Sequence, residues 1–159
     1  MQKRLKKILI KLIIIALCVG CLIFYLFQKR NYYCLAEDKC ITVWKTAEGT
    51  FIIPGKYTSW FKPKDNYIKT YNLNEGLGIY WFNNNPEEIV VDSYNYCSIV
   101  NNNKSKIKML EYNKNPKYFK NLLYDADGLG DFHLKRTVSK LSINIKELYA
   151  ITNDGRIFN

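Results

Sequence analysis

Histidine is nearly absent from this chain: His133 is the only one among 159 residues. A site built on clustered imidazoles is thereby excluded, and any histidine-dependent catalysis must run through this one side chain. Three cysteines, Cys34, Cys40 and Cys97, follow the apolar segment with no histidine beside them, a poor set for zinc. Recognisable nucleophile motifs are missing, and Ser139 and Ser142 stand in plain sequence. Internal repeats and long low-complexity linkers are missing too. Acidic residues are absent from the first thirty positions.

What is present there is basic and apolar. Lys3, Arg4, Lys6, Lys7 and Lys11 lead into an uncharged run, residues 12–27, which Lys29 and Arg30 stop. Counting back to Ile8 gives twenty residues, about the length that crosses a hydrocarbon core. Lys11 can extend its stem to the interface, and Tyr25 lies where membrane aromatics gather. Residues 8–27 are therefore expected to meet lipid. The heavier basic flank keeps the N-terminus in the cytoplasm and sends the remainder across. A cleaved signal would need a small-residue site, which QKRNYYCLAED does not offer. A lipoprotein signal would use Cys21 after Val19-Gly20, but Cys18 stands where leucine belongs. The uncleaved anchor is the preferred reading. The Cys18–Cys21 spacing then reads as apolar packing rather than thiol chemistry.

The charge divides unevenly. Net charge is +10, and the first thirty residues supply seven basic groups. The remaining seventeen basic and fourteen acidic residues leave +3. The high pI thus reflects topology, and no nucleic-acid partner is expected.

Residues 1–30 are read as cytoplasmic tail plus anchor, 31–39 as a short stalk, and 40–159 as one β-rich domain outside the cytoplasm. Strands are expected over 40–46 and 50–53, joined as a hairpin, and over 67–71, 77–82, 88–92 and 96–100. Residues 117–124 place Phe119, Leu122 and Leu123 on one helical face, with a stop at Asp125–Gly128. Residues 131–142 are ambiguous. Asp154-Gly155 predicts a terminal hairpin. The fold class is mainly β, a small antiparallel sandwich or barrel-like domain with one short late helix after a transmembrane helix.

An oxidising compartment favours a disulfide. Cys34–Cys40 is the preferred pair, with Cys97 left over or an alternative partner for either. Asp125, Asp127 and Asp131 form a weak metal set. Taking Asp125 as position one of a calcium loop puts Leu129 and Arg136 at ligand positions, so the full motif fails. His133 beside Asp131 is a possible acid–base group. Glu75, Glu87, Glu88, Asp92 and Glu111 offer carboxylates for glycan hydrolysis without singling out a pair. Asn103-Lys104-Ser105 matches a glycosylation acceptor of low specificity. No cofactor is expected.

Aromatics are the stronger signal. Alternation sets Trp81 on one strand face and Tyr80 with Phe82 on the other, one set for the core and one toward solvent. Trp60, between Pro54-Gly55 and Pro63-Lys64, is the best single contact candidate, and Tyr57 and Trp81 are further candidates. The expected function is a membrane-anchored extracytoplasmic binding or inhibitor module for a protein or envelope polymer. An envelope immunity protein is one concrete form. A small envelope hydrolase and a structural subunit of a membrane assembly are the alternatives.

Overall fold

The structure, a computed structural model, describes residues 2–26, 29–71, 76–93, 97–100, 107–126 and 131–159. Helix α1, Gln2–Leu26, contains a span, Lys6–Tyr25, of 20 residues with mean hydropathy 2.8 and no part of it buried against the domain. Its length and its wholly exposed apolar surface make it a membrane anchor. Phe27, the expected end of the span, lies outside the described residues.

The domain is two packed sheets. The first contains β1 (Arg30–Ala36), β2 (Lys39–Thr46), β3 (Gly49–Pro54), β4 (Tyr67–Thr70) and β7 (Cys97–Val100), in that spatial order. The second contains β5 (Gly76–Phe82), β6 (Asn85–Ser93), β8 (Lys108–Glu111), β11 (Val138–Asn144), β12 (Tyr149–Thr152) and β13 (Ile157–Phe158). Its order is β13-β12-β11-β5-β6-β8. Both sheets end in open edges, so the sandwich is realised and not the barrel. Among the described residues every pairing in these sheets is antiparallel except β6–β8. A short ribbon, β9 (Tyr124–Ala126) with β10 (Phe132–Leu134), stands apart.

Residues 31–39, expected as a stalk, are largely strand. β1 pairs with β2 along almost its whole length and buries Tyr33 to 1% exposure. The disulfide joins Cys34 to Cys40, which face each other in that register. Cys97 takes no part in it.

Alternation builds the core between the sheets. Ile41, Val43, Ile52 and Ile68 of the first sheet pack against Leu77, Ile79, Trp81, Ile89, Leu141 and Ile143 of the second. Each such aliphatic burial contributes about 1.5–3 kcal/mol. Polar clasps join the sheets at their margins. Lys39 Nζ donates to Asn83 Oδ1 at 2.6 Å, and Lys45 Nζ donates to the Lys146 carbonyl at 3.1 Å.

Tyr80 and Phe82 do face away from Trp81, but neither set reaches solvent. Their face is covered by helix α2, Pro116–Leu123, which lays Phe119 and Leu123 against Tyr80, Phe82 and Val90. Asn115 caps α2 by accepting from the Tyr118 N–H at 3.3 Å, and Pro116 occupies the first turn. The helix ends at Leu123 rather than in a turn at Asp125: Tyr124 is already extended, and Asp125 lies within β9. The ambiguous 131–142 segment supplies β10 and most of β11. The terminal hairpin forms as expected, with Gly155 at φ +82° in its turn.

Candidate functional site

The outer face of the first sheet carries an aromatic cluster of Trp44, Phe51 and Ile53, with Tyr57 and Tyr67 packed on it. Residues 55–66, between β3 and β4, fold over this cluster. Gly55, at φ +82°, turns the chain back and donates its N–H to the Cys40 carbonyl at 2.7 Å. Thr42 Oγ1 donates to the Gly55 carbonyl at 2.6 Å and accepts from the Tyr57 N–H at 2.8 Å. Tyr57 Oη donates to the Phe61 carbonyl at 2.7 Å. Arg30 Nη2 donates to the Ser59 carbonyl at 2.7 Å, while its guanidinium covers the Trp44 ring.

A loop tied down at these points still presents two aromatics to its surroundings: Trp60 is 69% exposed and Phe61 81%. Both line a groove of about 400 Å³ with Phe24, Trp44, Ala47 and Lys62. Phe24 belongs to the anchor, and the ring of Tyr25 is 6.3 Å from that of Trp60. Lys62 forms an ion pair with Glu48 at the groove margin. Trp44 Nε1 is buried with no acceptor among the described residues.

The second sheet presents a different surface. Tyr118 on α2 is 56% exposed and Phe132 on β10 is 43% exposed. Lys120 Nζ lies 3.6 Å from the Phe132 ring centroid, a cation–π contact. His133 stands opposite Asp125 in the β9–β10 register. Both are exposed, and Lys135 Nζ is 3.9 Å from Asp125 Oδ1. At exposed positions such a pair works without the low-dielectric setting that strengthens catalytic electrostatics.

Beneath α2 is a buried polar contact. The Tyr80 and Tyr124 hydroxyls are 3.0 Å apart. Burial, and then this hydrogen bond, push the Tyr80 phenol far above its ordinary range. Burial also raises the Asp92 carboxyl on β6, with Lys140 opposing the rise.

The three aromatics named as binding candidates differ in exposure. Trp60 is exposed at the loop tip, and Tyr57 is half-buried beneath it, its ring 6.1 Å from Trp44. Trp81 is 2% exposed within the inter-sheet core. A sequence cannot reveal that a strand's second face also points at a layer of protein. Not singled out from the sequence were Phe61 and Arg30 on this face and Tyr118, Lys120 and Phe132 on the other. The signal for Phe61 was its place beside Trp60 between two proline turns. Arg30 offered none, because its position after an apolar run reads fully as a topology signal.

Of the metal set, Asp125 and Asp131 sit on either side of the segment holding Asp127, which is outside the described residues. Among the described residues no three His, Cys, Asp or Glu side chains are grouped to hold a metal ion. Glu75 and the 103–105 acceptor also fall outside the described residues. No protein-family model, curated protein or solved structure matches this chain.

Proposed function

We propose that this chain is a membrane-tethered binding or inhibitor module whose domain lies outside the cytoplasm and recognises a protein or an envelope polymer. The observation that carries this reading is the exposed aromatic and basic patch of Tyr118, Lys120 and Phe132. Aromatic side chains are enriched in interface cores, and tyrosine at their well-packed hot spots. Here Phe119 and Leu123 fasten the helix to the second sheet. The patch faces away from the sheet that meets the anchor, leaving it accessible to a partner in the envelope. An inhibitor guarding the envelope against a toxic enzyme is one form of such a module.

Placement outside the cytoplasm is supported by the basic flank before α1 and by the Cys34–Cys40 bridge, which persists in oxidising compartments. Trapping thiols in intact cells tests it: Cys34 and Cys40 should resist alkylation until reductant is added. Immediate alkylation of both would place the domain in the cytoplasm.

The binding role is tested with the full chain in lipid nanodiscs as bait for envelope extracts. Wild type should retain a specific protein or cell-wall polymer, and the Tyr118→Ala, Phe132→Ala variant should lose most of it. Equal retention by both, or none across several salt concentrations, defeats the reading. His133 facing Asp125 favours a second reading, a small envelope hydrolase. Hydrolysis of envelope polymer that disappears in His133→Gln would select it.

A further inference from the structure

The loop at residues 55–66 exposes two large aromatics while hydrogen bonds tie its backbone to the domain. We propose that Trp60 and Phe61 form a second membrane contact, seated in the headgroup layer of the same bilayer that α1 spans. The domain is then held at a set tilt instead of swinging on its tether. This inference uses a different face from the proposed partner site and stands without it.

Continuity with the anchor comes first. Tyr25 closes the Lys6–Tyr25 span, and its ring is 6.3 Å from Trp60. The headgroup region on each side of a bilayer is roughly 5–7 Å deep. A span ending at Tyr25 therefore leaves Trp60 at the level where tryptophan and tyrosine rings collect. Phe24, one residue inside the span, lines the same groove as Trp60 and Phe61.

The loop is also held in place. Arg30, Thr42 and Tyr57 fix its backbone by hydrogen bonds of 2.6–2.8 Å. The 69% and 81% exposure of Trp60 and Phe61 is thus a feature of a built surface. Charge agrees with this placement. Lys56 and Lys64 are exposed around the two aromatics, Lys62 is paired with Glu48 at the groove margin, Asp65 is the loop's single acid, and exposed Lys29 lies just beyond the anchor. Lysines at this depth attract headgroups wherever the leaflet carries anionic lipid.

The chain's three tryptophans make the test selective, because Trp44 and Trp81 are 1% and 2% exposed. Full-length protein is reconstituted in liposomes of phosphatidylethanolamine and phosphatidylglycerol, three to one. Fluorescence is measured with lipid brominated near the headgroup end of the acyl chain, and separately with aqueous iodide. The Trp60 component is taken as the difference between wild type and Trp60→Phe. We expect brominated lipid to quench that component at least twofold more than iodide does. Strong iodide quenching without lipid quenching would put Trp60 in water and overturn the proposal. Quenching by neither would show protein covering the loop and would overturn it equally.

Discussion

The guanidinium carbon of Arg30 lies 4.0 Å from the centroid of the Trp44 ring. The two residues face each other in the β1–β2 register, and Arg30 also donates to the carbonyls of Ser59 at 2.7 Å and Tyr57 at 3.4 Å. The residue that ends the basic flank of the anchor is thereby the clasp between the first strand, the outer aromatic cluster and the loop that carries Trp60. Its charge bounds the apolar run, while its planar fork serves the fold.

Arg30→Ala removes a cation–π contact and charge-assisted hydrogen bonds at a partly buried site. A loss of about 2 kcal/mol in domain stability is expected. Arg30→Lys keeps the charge but loses the fork, so it should recover only part of that loss. Urea unfolding of the full chain in detergent, followed by the emission of Trp44 and Trp81, measures both. Equal stability for alanine and wild type would show that the clasp contributes nothing.

Reduction of Cys34–Cys40 opens a link with a sequence separation of 6. Closing so short a loop restricts the unfolded chain by about 2 kcal/mol. The same loss is expected for the Cys34→Ala, Cys40→Ala double variant. Unfolding midpoints with and without dithiothreitol check this. An unchanged midpoint would mean that strand pairing and the burial of Tyr33 hold β1 unaided.

Strands β2 and β3 were legible because Ile41, Val43, Ile52 and their neighbours repeat at a period of two between clear turns. Helix α2 was legible from Phe119, Leu122 and Leu123 at helical spacing. β1 was not read as a strand because its place between the apolar run and Cys40 suggested a stalk, although Tyr32 and Tyr33 suit a strand that pairs with β2. Asp125 was misjudged for a related reason, since Asp and Gly favour turns locally while the β9–β10 pairing draws Asp125 into extended chain. Of the candidate site, Trp60 was visible from its proline-flanked loop. The burial of Trp81 was not, because it depends on which sheet lies above β5.

Gly78 is held at its position by a neighbour that cannot yield. A Cβ there would come within 3.2 Å of Tyr80 Cε2, 3.4 Å of Tyr80 Oη and 3.4 Å of Asp92 Cβ. Tyr80 is buried under α2 and fastened to Tyr124. Gly78→Ala should therefore cost about 1–2 kcal/mol through overpacking. In a Tyr80→Leu background the same substitution should cost nothing or stabilise slightly, because alanine is the better strand residue. A double-mutant cycle in urea reads the coupling. Additive effects would show that Gly78 does not make room for Tyr80.

Asp92 makes stability depend on pH in the opposite direction to a paired surface carboxylate. Burial beside Gly78 raises its folded pKa, and the attraction of Lys140 offsets this only in part. The unfolded carboxyl titrates near pH ~3.9. Between that value and the higher folded one, the folded state binds more protons than the unfolded chain, so stability falls as pH rises through the window. At neutral pH the carboxylate is charged in both states and its desolvation penalty is present in full. Asp92→Asn removes that penalty, so the variant should be more stable than wild type at pH 7. The difference should shrink as pH falls through the folded pKa and vanish below about pH 3.9. Thermal unfolding of both proteins from pH 3 to pH 7 measures it. A wild type more stable than Asp92→Asn at pH 7 would mean that the attraction of Lys140 exceeds the cost of burial.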